Sequence, residues 1–144
     1  MKISTDTRNV LKNFSTINSG IRVKSGNKLE TISNMKNILA VATVDESFPQ
    51  DFSIYNLPEF LGATSLMTDP DFQFGDASLT VADENSSLAY FYASEGMVVA
   101  PDKMITMPEA EINIEISSTL LSELQKAASV LGVNDLVLSS DGNV

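Results

Sequence analysis

Three times along this chain a short apolar segment runs straight into a capped amphipathic helix. The first instance is MKI followed by STDTRNVLKNFSTIN. The second is DFSIY (51–55) followed by NLPEFLGATSLM (56–67), and the third is EINIEI (111–116) followed by SSTLLSELQKAASVLG (117–132). Alternating segments follow the first two helices, so the pattern predicts βαβββ, then βαβββ with one extra strand, then βαβ. A repeat of this kind restricts the fold to a pseudo-symmetric α+β object in which helices cover one face of antiparallel sheets.

The helix ends are legible. Ser4, Asn56 and Ser117 or Ser118 are side chains that accept from the free N–H groups of a first turn. Asp6 sits where the helix dipole favours an anion. Pro58 falls where a missing N–H is harmless, and Gly132 suits a left-handed terminus. Alternation predicts strands at GIRVK and KLETIS, joined by the turn Ser25-Gly26-Asn27, and then at NILAVATV, FQF, SLTVA, SLAYFYA (87–93), MVVA (97–100) and DLVLSS (135–140). Asp45-Glu46 and Asp83-Glu84 read as acidic pairs in turns.

The chain has 144 residues with neither Cys nor His. Disulfides, thiolate chemistry and His-dependent acid–base or nucleophilic catalysis are therefore excluded. No catalytic constellation remains, and the expectation is a binding protein with no catalytic residues and no cofactor. TDPDFQFGD (68–76) holds three aspartates, but an EF-hand loop would need Gly and Glu where Phe74 and Thr80 stand, so an acidic solvent-facing loop is expected and no metal. The sites NFS (13–15) and NSS (85–87) match glycosylation acceptors. The opening MKISTDTRN, polar from Ser4, does not read as a secretory signal, so both are taken as accidental.

Charge is unevenly distributed. The formal net charge is −10, yet residues 1–36 hold seven basic and two acidic residues, a net of +5, and residues 37–144 hold two basic and 17 acidic ones, a net of −15. On a helix turning about 100° per residue, Arg8 and Lys12 lie about 40° apart, opposite Val10, Leu11, Phe14 and Ile17. Lys126 stands likewise on the third helix with Ser122 and Ser129, opposite Leu120, Leu121, Leu124, Ala128 and Leu131. Sparse cations among hydroxyls suit phosphate contact. The Arg, Asn and Gln density that reads base edges is missing, and so are the aromatics that stack single strands.

MKISTDTRNVLKNFSTINSGI, with LKNFSTINSGI its most specific part, resembles the sliding clamp of T-even-like phages, the DNA polymerase processivity factor. YNLPEFL (55–61) and APDKMITMP (100–108) are similar to the same family. The resemblance implies the DNA-clamp fold: three-subunit rings with two clamp domains per subunit, helices lining a hole for duplex DNA and sheets outside. It implies a non-enzymatic factor that tethers DNA polymerase, is opened by a clamp loader, supports late transcription and works in the host cytoplasm. On this chain Arg8, Lys12 and Lys126 would face DNA. The expected organisation is an N-terminal clamp domain over 1–108 and an incomplete, truncated start of a second over 109–144, a homotrimer being the family's full-length state. The Met-rich connector MVVAPDKMITMP offers Met104, Ile105 and Met107 as partner-binding residues, or a terminal strand and linker packed on its own domain. The alternative function is a clamp-fold protein-interaction module with no DNA role.

Overall fold

Helix α1 (Thr5–Ile17) opens the architecture because Ser4 stops the extended chain and turns its hydroxyl back on it: Ser4 Oγ accepts from the Thr7 N–H at 3.2 Å. The computed structural model describes residues 1–94, 96–102, 109–110 and 113–139. After α1 come β1 (Ile21–Val23), β2 (Gly26–Ile32), β3 (Leu39–Phe48) and β4 (Phe52–Ile54). Then follow α2 (Leu57–Thr64), β5 (Asp71–Phe74), β6 (Ser78–Ala82), β7 (Ser87–Phe91) and α3 (Ser118–Leu131). The chain divides into two compact units, Met1–Met104 and Ile105–Val144.

In the first unit every ladder is antiparallel: β1 with β4, β2 with β3, and β5 with β6 and β7. With its helices, this is an α+β architecture. The expected repeat is visible in the order αβββ followed by βαβββ. Its halves exchange partners. β4, which leads into α2, pairs with β1, the first strand after α1. The segment leading into α1 answers in kind, since Met1 O accepts from the N–H of Phe72 on β5, the first strand after α2. The Met1 ammonium adds bonds to Phe72 O (2.8 Å) and to Asp71 Oδ1 (2.7 Å).

One core lies between the helices and the sheets. It contains Leu11 and Phe14 of α1, Leu57 and Phe60 of α2, and strand residues Ile21, Val23, Leu29, Val44, Phe52, Ile54, Phe72, Leu79 and Val81. Phe60 meets Phe72 and Tyr90 edge-on, with ring centroids 6.4 and 5.2 Å apart. Asn18, at the end of α1, is buried and donates to Ile32 O and Val99 O, tying helix, β2 and the segment after β7 together.

Several expected strands differ. MKI meets Phe72 through the main-chain N and O of Met1 but forms no ladder. The turn at Ser25–Asn27 does not close a hairpin between β1 and β2, because β1 is taken by β4 and β2 by β3. β3 does not stop before Asp45-Glu46. It runs on to Phe48, because the alternation of Val44, Glu46 and Phe48 continues inward. Residues 97–100 form no strand, and Val99 O bonds the Asn18 side chain instead of a ladder.

In the second unit α3 is capped by Ser117 Oγ, which accepts from the Leu120 N–H at 3.2 Å, and is closed by Gly132 at φ 66°. Leu124 and Ala128 are half-buried, while Leu120, Leu121 and Leu131 are exposed. The expected strands at 111–116 and 135–140 do not form among the described residues, which exclude 111, 112 and 140.

Candidate nucleic-acid interface

α1 presents its apolar residues to the core and leaves Asp6, Asn9, Lys12, Asn13 and Thr16 in solvent. Lys12 is exposed and makes no ion pair among the described residues. Arg8 is not fully exposed as the helical projection implies; it is half-buried. Its Nε is sealed from solvent with no acceptor among the described residues, while the side chain as a whole stays partly in solvent.

The basic cluster of residues 1–36 does not form one patch. Lys2 bonds Asp69 Oδ2 at 2.8 Å, Arg22 lies 3.7 Å from Asp102 Oδ1, and Lys28 lies 3.6 Å from Glu30 Oε1. Arg22 also donates to Pro101 O at 3.0 Å. These three cations sit beside carboxylates, so sequence counting overstates the positive surface. α1 keeps Arg8 and Lys12 out of such pairs among the described residues.

α2 contributes no cation. Pro58, Glu59 and Gly62 are its exposed residues, followed by Ser65 at the C-cap. Glu59 serves the helix itself: Asn56 Oδ1 accepts from the Glu59 N–H at 3.2 Å, and Asn56 Nδ2 donates to Glu59 Oε2 at 2.9 Å. Lys126 is exposed on α3 in the other unit. Met104, Ile105 and Met107 lie outside the described residues.

Sequence reasoning missed Thr7 and Glu46. Thr7 lies on the core side of α1 and is 1% exposed. Its hydroxyl donates to Glu46 Oε2, and the Ser4 N–H donates to Glu46 Oε1. Burial pushes the Glu46 carboxyl up, but the bonds from Thr7 and Ser4 outweigh it and hold the group below the usual glutamate range. The available signal was the unbroken alternation of β3, which turns Glu46 toward α1.

Elsewhere the surface is mixed, and Arg22, Lys24 and Lys28 line one hollow beside Glu30. A hollow of about 580 Å³ is bordered by Asp69, Asp71, Asp83 and Glu84, with Lys2 its single lining cation. Asp83 is depressed to about 2 by bonds from the N–H groups of Thr68 and Asn85 and from Ser86. Such a surface repels phosphate. Among the described residues no cluster of three or more metal-ligating side chains occurs, and no helix is long and apolar enough to cross a membrane.

Two helices packed beside each other over antiparallel sheets, one of them bearing a small cationic face, match the architecture that the sequence resemblance implied. A model of the DNA polymerase processivity factor family matches residues 4–100, or 97 of the 144 positions. The chain belongs to this family. Among curated proteins it is similar to the sliding clamp of Enterobacteria phage T4, at 36% identity over 96% of this chain and 62% of the relative. It is similar also to the sliding clamp of Escherichia phage RB69, at 30% over 100% and 64%, and to that of Vibrio phage KVP40, at 28% over 98% and 66%. The chain therefore spans a little under two thirds of the length of these sliding clamps, and the family match lies within the unit that carries α1 and α2.

Proposed function

We propose that this protein serves phage DNA replication as a sliding clamp, a non-enzymatic factor that encircles duplex DNA and tethers the polymerase. The match of the family across residues 4–100, the span bearing the cationic face of α1, carries this reading. The shared name of the relatives favours it over a protein-interaction module without a DNA role.

The mechanism is topological. Arg8 and Lys12 attract backbone phosphates but read no base, so the contact is the same at every step along the duplex and sliding meets no sequence barrier. Lys126 supplies the corresponding charge from the second unit. The acidic remainder, net −15 over residues 37–144, keeps DNA off other surfaces. Residues 1–108 form one clamp domain and 109–144 the start of a second. Ring closure as a homotrimer, opening by a clamp loader, a role in late transcription and work in the host cytoplasm belong to the same reading, as does capture of partner peptides by Met104, Ile105 and Met107.

The test is charge reversal, Arg8→Glu with Lys12→Glu, followed by duplex binding across a salt series. Two lost phosphate contacts lower the log–log salt slope by about 1.8 per chain and weaken binding, while the fold stays intact. A double variant that binds duplex with the affinity and slope of the parent refutes the assignment of this face.

A further inference from the structure

The helix starts differ in where their carboxylate comes from. α2 carries its own three residues after its cap: Glu59 Oε2 accepts from the Asn56 side-chain amide and Asn56 Oδ1 accepts from the Glu59 N–H, while the Asn56 N–H is left to the Tyr90 hydroxyl at 3.4 Å. α1 has Thr7 at the same position, whose side chain bears no carboxylate to serve the Ser4 N–H. The missing acceptor arrives from β3: Glu46 takes the Ser4 N–H on one oxygen and the Thr7 hydroxyl on the other, while Ser4 Oγ takes the Thr7 N–H. The cap of α1 is therefore completed by a strand about forty residues downstream, and the helix start is bolted to the sheet. Arg8 is the next residue, and Lys12 is one turn further along the same face.

We propose that Glu46 is a positioning residue for the phosphate-facing side of α1, fixing the first turn so that Arg8 and Lys12 are presented together. The proposal rests on the duplex-binding reading given above. Replacing the carboxylate by an amide leaves one acceptor oxygen where the Ser4 N–H and the Thr7 hydroxyl use two, loosens residues 4–8, and lets Arg8 leave the surface on which its Nε is now sealed. Arg8 then spends more of its time away from the orientation shared with Lys12.

Charge alone acts in the opposite direction, which makes the sign of the effect diagnostic. Glu46→Gln removes a negative charge, and by electrostatics it strengthens attraction to a polyanion. A positioning residue weakens binding when the same charge is removed. The experiment uses the 144-residue chain, the Glu46→Gln and Thr7→Val variants, Arg8→Ala with Lys12→Ala as the reference, amide hydrogen exchange, and titration with a short duplex of arbitrary sequence at low salt. Thr7→Val keeps the Glu46 charge and removes only the hydroxyl donor, so it reports even where Glu46→Gln folds poorly. The expected results are exchange about tenfold faster at residues 4–8 in either variant, from the loss of a charge-assisted bond, and duplex binding weakened severalfold by Glu46→Gln in spite of its charge. Unchanged exchange overturns the proposal, as does duplex binding by Glu46→Gln that equals or exceeds the parent's. If Glu46→Gln binds normally while the reference variant binds weakly, positioning is wrong and the duplex-binding reading stands. If the reference variant itself binds normally, both fall.

Discussion

Replacing Asn18 by Asp changes little in shape and much in chemistry. Asn18 is 5% exposed. Its Nδ2 donates to Ile32 O at 2.9 Å and to Val99 O at 2.8 Å, while Oδ1 accepts from the Gly20 N–H at 3.1 Å. A carboxylate in that position keeps the acceptor bond, loses both donor bonds and faces two carbonyl oxygens. Breaking a buried polar network and leaving an uncompensated charge costs about 3–5 kcal/mol. Burial and the two carbonyl dipoles raise the folded pKa of the new acid above its unfolded value of about 3.9. The native state then binds the extra proton, so the variant's deficit is smallest below pH 4 and grows as pH rises toward the folded pKa. At low pH the protonated acid still donates to one carbonyl. Urea unfolding followed by tyrosine fluorescence measures this cleanly, because Tyr55, Tyr90 and Tyr92 all lie in the Met1–Met104 unit and the chain has no Trp. With an m-value of about 2 kcal/mol/M, a loss of about 4 kcal/mol moves the midpoint down by about 2 M at pH 7, and by clearly less at pH 4. A midpoint at pH 7 within about 0.5 M of the parent's, or a deficit equal at both pH values, refutes the role given to Asn18.

Gly20→Ala places a Cβ 3.1 Å from Val98 Cγ1 and 3.2 Å from the carbonyl oxygens of Ile54 and Tyr55. The two backbone atoms cannot yield as a side chain can, so we expect a loss of about 1–3 kcal/mol, read as a lower melting temperature. Asp83 is depressed to about 2 by the N–H groups of Thr68 and Asn85 and by Ser86, so the stability it contributes is complete above the unfolded pKa and disappears as pH falls toward about 2. The stability gap between the parent and Asp83→Asn should accordingly narrow from pH 5 to pH 2, and a gap that does not change with pH refutes that origin.

The helices were legible because their signals are local. Ser4, Asn56 and Ser117 each cap the helix that follows, and Gly132 is left-handed as its position after the apolar run implies. β6 emerged at the residues that alternation gives, Ser78–Ala82. Pairing was not legible, because a three-residue strand such as β1 carries no local record of whether its partner follows the next turn or lies thirty residues on. The cationic face of α1 was readable as a face. What escaped was long-range pairing: Lys2 with Asp69, Arg22 with Asp102, and the Ser4 and Thr7 bonds to Glu46 all join residues far apart in sequence. Thr7 was invisible for a related reason. A threonine on the core side of a helix gains its meaning only from the carboxylate it meets.

The exchange of partners between the two halves bears on how the chain comes off the ribosome. The segment before α1 waits for Phe72, and β1 waits for β4, so the first half cannot complete its pairing until the second has emerged. At about 5–20 residues per second the gap between Met1 and Phe72 corresponds to roughly 4–14 s of synthesis. During that interval Leu11, Phe14, Ile21 and Val23 have no Phe60, Phe72 or Leu79 to bury against. The nascent first half is thus an exposed apolar surface with a timed lifetime, and slowing translation between codons 50 and 72 should raise its dependence on chaperones more than slowing it anywhere after residue 91.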